Sequence, residues 1–109
     1  MDEILEATRR INQLLKESKE YKRFVFARSA LSSNSEMYQR VKELKQHYRD
    51  VQTYWEGNPY DEIYRMCQEQ DELLHNSVVN EYLRAESAFS RLIRRVVDEA
   101  AAGFDMELD

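Results

Sequence analysis

Two histidines and one cysteine are the residues of this sequence best suited to chemistry. In the tetrapeptide ELLH, Glu72 and His75 have the Glu-x-x-His spacing by which some helical bundles hold two iron ions. Such a site needs a second pair of this kind, but Leu44 stands three residues before the other histidine, His47. We therefore predict no metal here and interpret His75 as a residue near a helix C-terminus, where a partly protonated imidazole is favoured.

Cys67 would act as a nucleophile only if a base and an oxyanion-binding group met it, and the sequence indicates neither. On a helical face between Ile63 and Gln70, a free cysteine is typical of a small buried apolar residue. Two isolated glycines cannot build a phosphate-binding loop. The sequence thus predicts no catalytic residue and no cofactor, and we expect a protein that is not an enzyme.

The elements that would position any site are helices. The chain has only two glycines and one proline in 109 residues, too few for the turns that a sheet requires. Its 42% hydrophobic and 34% charged residues are typical of one folded domain. No apolar run approaches the roughly 20 residues of a membrane span. The opening MDEILEATRR is unlike a secretory leader, and a single cysteine fits a reducing compartment, so we expect a cytoplasmic protein.

The first half of the chain predicts three helices. The first spans Asp2 to Glu17 with one apolar stripe, and the second follows Ser18, although the pattern leaves open whether Ser18 breaks the helix. The stretch SSNS interrupts the second helix, and Ser33 with Glu36 has the spacing of a capping box. A third helix then carries a heptad seam that ends at Trp55.

The second half predicts two further helices. The third helix is predicted to end at Gly57. Asn58 then caps a fourth helix, and Pro59 suits its first position. A cap at Asn76 or Ser77 begins a long last helix that ends near Gly103. The predicted fold is an all-α bundle of four to five helices with a long C-terminal helix that dimerises. Residues 1–103 form its single domain, and residues 104–109 form a frayed acidic tail.

The last helix has more apolar surface than one bundle needs. Two adjacent seams run along it, whereas a helix at the edge of a monomeric bundle needs only one apolar stripe. The alternative is that it is the central helix, covered by the other four. We favour a homodimer or a higher homo-oligomer, because large exposed apolar patches mark interfaces. The predicted interface residues are Tyr82, Leu83, Phe89, Leu92, Ile93 and Val96.

Charge is unevenly distributed along the chain. Residues 1–57 hold eleven Lys and Arg against nine Asp and Glu, while residues 58–109 hold five against twelve. A basic cluster interleaved with aromatic residues suggests an alternative function, an RNA-binding module or a face for an acidic partner. The overall charge of −5 argues against nucleic acid as the main partner. The residues of this basic face are Lys16, Lys19, Lys22, Arg23 and Arg28.

Three segments resemble the YlbF/YmcA family of small bacterial helical proteins, which has a competence-related YlbF domain. SKEYKRFVFARSAL is similar to the early segment of the family, and DEAAAGFDMELD is similar to the tail of some members. NSVVNEYLRAESAFSRLIRRVV resembles the family signature, with Ser77 where the family often has proline. The resemblance spans essentially the whole chain, and its motifs are structural rather than chemical.

The resemblance implies an all-α protein that associates with itself or with paralogous YlbF-like proteins. Some members form a complex that modulates the endoribonuclease RNase Y and influences mRNA maturation, competence, biofilm formation and sporulation. Certain of these members carry a cysteine-rich tail associated with an iron–sulfur cluster. This chain has one cysteine, so the resemblance implies no cluster here. We expect a regulatory or scaffold protein with no membrane segment.

Overall fold

The computed structural model describes residues 1–104 as six α-helices, with no strand in that range. The helices are α1 (Asp2–Glu17), α2 (Lys19–Ser32), α3 (Ser35–Tyr54), α4 (Pro59–Glu69), α5 (Asp71–His75) and α6 (Ser77–Ala101). For these residues the all-α prediction is confirmed, including the long C-terminal helix. The predicted acidic tail lies, apart from Phe104, outside the described residues.

Ser18 separates α1 from α2, which settles the question that the sequence left open. Its backbone is extended, with φ −69° and ψ 150°, so the helix cannot continue through it. The hydroxyl oxygen of Ser18 accepts a hydrogen bond from the backbone N–H of Tyr21 at 3.1 Å and caps α2. A single residue therefore sets the angle between the first two helices.

The start of α3 differs from the predicted capping box. Asn34 is the N-cap, and its side chain accepts a hydrogen bond from the backbone N–H of Met37 at 3.1 Å. Ser33 retains a helical backbone at the end of α2 and donates its hydroxyl to the carbonyl oxygen of Ala30 at 2.7 Å. The predicted box between Ser33 and Glu36 is wrong because the chain leaves the helical conformation one residue later.

The boundaries of the later helices follow their capping residues. Gly57 has φ +102°, a conformation that favours glycine, and Asn58 caps α4 by accepting a hydrogen bond from the N–H of Tyr60 at 2.9 Å. The predicted fourth helix is divided at Gln70 into α4 and α5. Asn76 caps α6 by accepting hydrogen bonds from two backbone N–H groups.

The core lies where α2 packs against α6, the most extensive helix pair in the structure. Ala27 and Ala85 are buried on the facing sides, and these small side chains let the two helices approach closely. Leu31 and Val79 are fully enclosed beside them. Val41 of α3, Leu73 of α5 and Tyr82 of α6 complete the cluster.

The chain is more extended than a compact domain. Its radius of gyration is 17.5 Å, against roughly 13 Å for a compact chain of about 100 residues. Its dimensions are 49 × 36 × 17 Å. Helix α1 contributes no buried residue, although its sequence is strongly amphipathic. The elongated shape thus leaves the apolar stripe of α1 without a complete set of neighbours.

Candidate protein-interaction surface

An apolar groove runs between α1 and the C-terminal half of α6. Its volume is about 350 Å³, and we call it the arm groove. Its two walls come from opposite ends of the sequence, since Ser18 directs α1 alongside the far end of α6. The residues that line it are Ile11, Leu14, Leu15, Ser18, Glu20, Leu92 and Val96.

The apolar surface continues beyond the groove along both helices. On α1, Ile4 is 68% exposed and Leu14 is 48% exposed. On α6, Ile93 is 40% exposed and Val97 is 59% exposed. Single exposed apolar residues are normal, but a continuous strip of them along two adjacent helices is typical of an interface.

The structure places most of the predicted interface residues on or beside this surface. Leu92 and Val96 line the arm groove, and Ile93 is exposed next to them. Phe89 is half-buried, and Leu83 is half-buried against the core, away from the arm groove. The ring of Phe89 packs against Tyr21, with 5.1 Å between the ring centroids, so it links the arm groove to the core.

Tyr82 does not belong to the exposed surface. It is 7% exposed and forms part of the core between α2 and α6. Its ring lies 5.9 Å from that of Phe24, measured between centroids. Along the two apolar seams of α6, Val79 and Tyr82 lie in the core, whereas Ile93 and Val97 in the later turns are exposed. Periodicity follows such a seam along a helix but does not show where the covering helices end.

The hydroxyl of Tyr82 belongs to a partly buried polar network. It donates a hydrogen bond to Glu86 at 3.0 Å, and the ammonium of Lys45 donates to it, also at 3.0 Å. Lys45 also pairs with Glu86. Burial alone would lower the pKa of Lys45, but the hydrogen bonds from Lys45 to Glu86 and Tyr82 raise it. The network joins α3 to α6 at the edge of the core.

The residues of the predicted basic face have different surroundings. Lys16, Lys19 and Lys22 are exposed. The guanidinium of Arg28 lies over the ring of Phe24, 5.1 Å from its centroid. The fifth residue, Arg23, forms an ion pair with a carboxylate of α6, so the five side chains do not act as one free basic patch.

That ion pair joins α2 to α6. The Nε and a terminal nitrogen of Arg23 donate to the two carboxylate oxygens of Glu81, each at 2.8 Å. The hydrogen bond from Arg23 lowers the pKa of Glu81, and the nearby charge of Arg84 lowers it further. Arg84 therefore lies close to Glu81 without taking its carboxylate from Arg23.

A second apolar depression of about 390 Å³ lies between α3 and α6. Its lining includes Leu44, Tyr48 and Cys67. The prediction that Cys67 is buried is wrong, because its side chain is exposed at the edge of this depression. Helix α4 turns its neighbouring residue, Met66, into the core instead.

The two histidines make local contacts. His47 lies 3.2 Å from the buried carboxylate of Glu62, measured from Nε2 to Oε1, and His75 lies 3.1 Å from the carboxylate of Asp71. The suggested metal pair, Glu72 and His75, thus has its histidine engaged elsewhere. Within residues 1–104, no group of three or more His, Cys, Asp or Glu side chains could hold a metal ion.

Two further findings concern membrane spans and family membership. None of those in residues 1–104 combines the length and the apolarity needed to cross a bilayer. A family model described as control of competence regulator ComK, YlbF/YmcA, matches residues 4–103. The chain belongs to the YlbF/YmcA family. The YlbF/YmcA family is linked to competence regulation by the description of its model. Neither curated proteins nor solved structures gave a significant match.

Sequence reasoning missed one wall of the YlbF/YmcA chain's arm groove. That wall is the apolar stripe of α1 that contains Ile4, Ile11 and Leu14, for which the sequence predicts a helix face but no interaction surface. Its signal was available in the sequence, because α1 is amphipathic and ends at a serine that can cap the next helix. Periodicity alone cannot distinguish a stripe that meets its own chain from one that meets another.

Proposed function

We propose that this protein is a non-enzymatic regulator that works through helical protein–protein contacts, with the arm groove as its assembly surface. A second copy of the chain closes the groove, so the functional unit is a homodimer. The observation that supports this most is the exposed apolar strip shared by α1 and α6. Two such arms, related by a twofold axis, supply the four helices of a bundle.

Packing energetics supports the same proposal. Helix α1 buries no residue within its own chain, and an isolated helix of 16 residues is only marginally stable in water. An amphipathic helix gains most of its stability from covering its apolar face. Contact with a partner arm would supply that cover to Ile4, Leu14 and Val97, which are exposed in the single chain.

Family membership supports a proposal for the biological process. The YlbF/YmcA family model is described by control of a competence regulator, and we propose from the resemblance that this chain acts in the cytoplasm as a modulator of RNA processing. RNase Y and paralogous YlbF-like proteins are the partners that the resemblance suggests, with biofilm formation and sporulation as further processes under their influence. Crosslinking in the native host, followed by identification of the captured proteins, tests these partners. If neither RNase Y nor a paralogous YlbF-like protein is captured, this part of the proposal is overturned.

The dimer is tested by the molar mass in solution. Light scattering during size-exclusion chromatography should give twice the chain mass of 13.1 kDa for the wild-type protein at micromolar concentration. Leu92→Lys places a charge in the arm groove and should shift the protein to monomer. The matched control is Ser90→Lys, which adds the same charge to an exposed position of the same helix. A monomeric wild-type protein, or equal masses for the two variants, would contradict the proposal.

A further inference from the structure

A further depression, of about 340 Å³, lies between α2 and α6 and is lined mainly by polar and basic groups. Asn80, Arg84, Ser87 and Arg91 recur at steps of four, three and four residues, so they form one stripe of α6. Arg23 of α2 forms part of the other wall. We call this site the arginine cleft, and none of these residues lines the arm groove.

The cleft holds three guanidinium groups, and within residues 1–104 the one carboxylate paired with any of them is that of Glu81, bound by Arg23. Arg84 could pair along its helix with Glu81, but Glu81 is held by Arg23 across the helix interface. The positions three and four residues before and after Arg91 hold Ser87, Ala88, Arg94 and Arg95, so none of them supplies a carboxylate along the helix. Among the described residues, neither Arg84 nor Arg91 forms an ion pair. The cleft therefore keeps an excess of positive charge in a protein whose net charge is −5.

The geometry of these groups suits carboxylates on a helix. Arg84 and Arg91 are seven residues apart, which corresponds to about 10.5 Å along the axis of α6. Carboxylates that are seven residues apart on a helix lying along α6 have the same spacing. Guanidinium groups bind carboxylates through two parallel hydrogen bonds, as Arg23 and Glu81 already do beside the cleft. Leu83 adds an apolar contact to the lining.

We infer that the arginine cleft binds an acidic helical segment of a partner protein, with carboxylates seven residues apart. RNA fits the cleft less well, because a polyphosphate backbone gains affinity from many phosphate contacts and this cleft offers two unpaired arginines. Its lining also contains no aromatic ring on which a base could stack. Asn80 and Ser87 supply hydrogen-bonding groups beside the guanidiniums.

The test uses the full chain and two synthetic helical peptides. Both peptides are alanine-rich with one central leucine, and they carry either two glutamates or two glutamines seven residues apart. Fluorescence anisotropy should show that the glutamate peptide binds and that the glutamine peptide binds at least roughly tenfold more weakly, since charge-assisted pairs are lost. Equal binding of the two peptides would overturn the inference.

Protein variants locate the binding site. Arg84→Gln/Arg91→Gln should weaken binding of the glutamate peptide roughly tenfold or more while leaving the helix content unchanged. The matched control, Arg49→Gln/Arg94→Gln, removes the same charge from exposed positions outside the cleft and should preserve binding. If both double variants lose the same amount of peptide binding, net charge alone explains the binding, and the inference of a specific cleft is overturned. Tighter binding of a single-stranded RNA 20-mer than of the glutamate peptide, lost on Arg84→Gln/Arg91→Gln, would replace the protein partner with nucleic acid.

Discussion

Arg23 and Glu81 lie 58 residues apart in the sequence and form a two-point ion pair that fixes α2 against α6. The pair also engages the carboxylate with which Arg84 could have formed an ion pair along its own helix. A single contact thus stabilises the main helix interface and leaves the arginine cleft positively charged. This relationship could not be read from spacing along α6, which favours the local pair.

The ion pair predicts a pH-dependent coupling between its two residues. The hydrogen bond from Arg23 holds the pKa of Glu81 below its ordinary value of 4.5 in the folded state. A lowered pKa gives a stabilisation that is complete above 4.5 and is lost as the pH falls through the folded-state pKa. A double-mutant cycle with Arg23→Gln and Glu81→Gln should therefore show favourable coupling near neutral pH and none in acid. Coupling that is the same at both pH values would contradict the ion pair.

The observed caps predict which residue stabilises the start of α3. Asn34→Ala removes the acceptor of the Met37 N–H bond and should lower the free energy of unfolding by about 1 kcal/mol. Ser33→Ala removes only an exposed hydrogen bond from the serine hydroxyl at the end of α2. It should lower the free energy of unfolding by only about 0.3 kcal/mol. Urea denaturation of both variants measures the difference. A larger loss for Ser33→Ala would favour the capping box that the sequence suggested.

Local chemistry explains why the helix boundaries were largely predictable. Gly57, Asn58 and Pro59 act through their own backbone geometry and nearest neighbours, so their roles follow from residue type. The role of Asn76 as the cap of α6 likewise follows from its residue type. The cap at Asn34 was missed because two adjacent residues both suited the position, and the choice depends on where α2 ends.

Tertiary relationships explain what the sequence did not predict. Ile93 and Tyr82 belong to similar apolar patterns, yet one is exposed and the other is core. The difference comes from how far α2 and α3 extend along α6, which depends on the turns between helices. Cys67 and Met66 are adjacent, and the rotation of α4 about its axis decides which of them is buried. The candidate surfaces therefore needed the fold before they could be recognised.

The polar network around Tyr82 predicts a loss of stability that is independent of packing. Tyr82→Phe keeps the ring in the core but removes the hydroxyl that bonds Glu86 and Lys45. The free energy of unfolding should fall by about 1 kcal/mol, the typical contribution of such a hydrogen bond. Tyr21→Phe is the matched control, since its half-buried ring packs on Phe89 without a side-chain hydrogen bond. Similar losses for both variants would show that the network contributes little.

The buried carboxylate of Glu62 predicts acid sensitivity at the contact between α3 and α4. The hydrogen bond from Arg65 lowers the pKa of Glu62 below its ordinary value of 4.5, and the contact with His47 lowers it further. Burial acts in the opposite direction but does not cancel these effects. The contribution of Glu62 is therefore complete above its ordinary pKa and is lost as the pH falls through the folded-state pKa. Glu62→Gln should reduce the dependence of stability on pH in this acidic range.

Glu69 provides the control for this measurement. It is exposed on the same helix and also pairs with Arg65, so Glu69→Gln changes the same charge without altering the buried site. Thermal denaturation across the acidic range should show the wild-type slope for Glu69→Gln and a shallower slope for Glu62→Gln. A shallower slope in both variants would assign the acid sensitivity to Arg65 and surface charge rather than to burial of Glu62.

The contrast between core and arm predicts different effects for two leucine-to-alanine substitutions. Leu31 is fully buried, so Leu31→Ala should lower the free energy of unfolding by roughly 2–5 kcal/mol. Leu14 is 48% exposed in the single chain, so Leu14→Ala should change the stability of the dilute monomer by less than about 0.5 kcal/mol. Because Leu14 lines the arm groove, the same change should weaken self-association measured by sedimentation equilibrium. If Leu14→Ala instead destabilised the monomer as much as Leu31→Ala does, α1 would be part of the core of one chain, and the arm groove would no longer be an assembly surface.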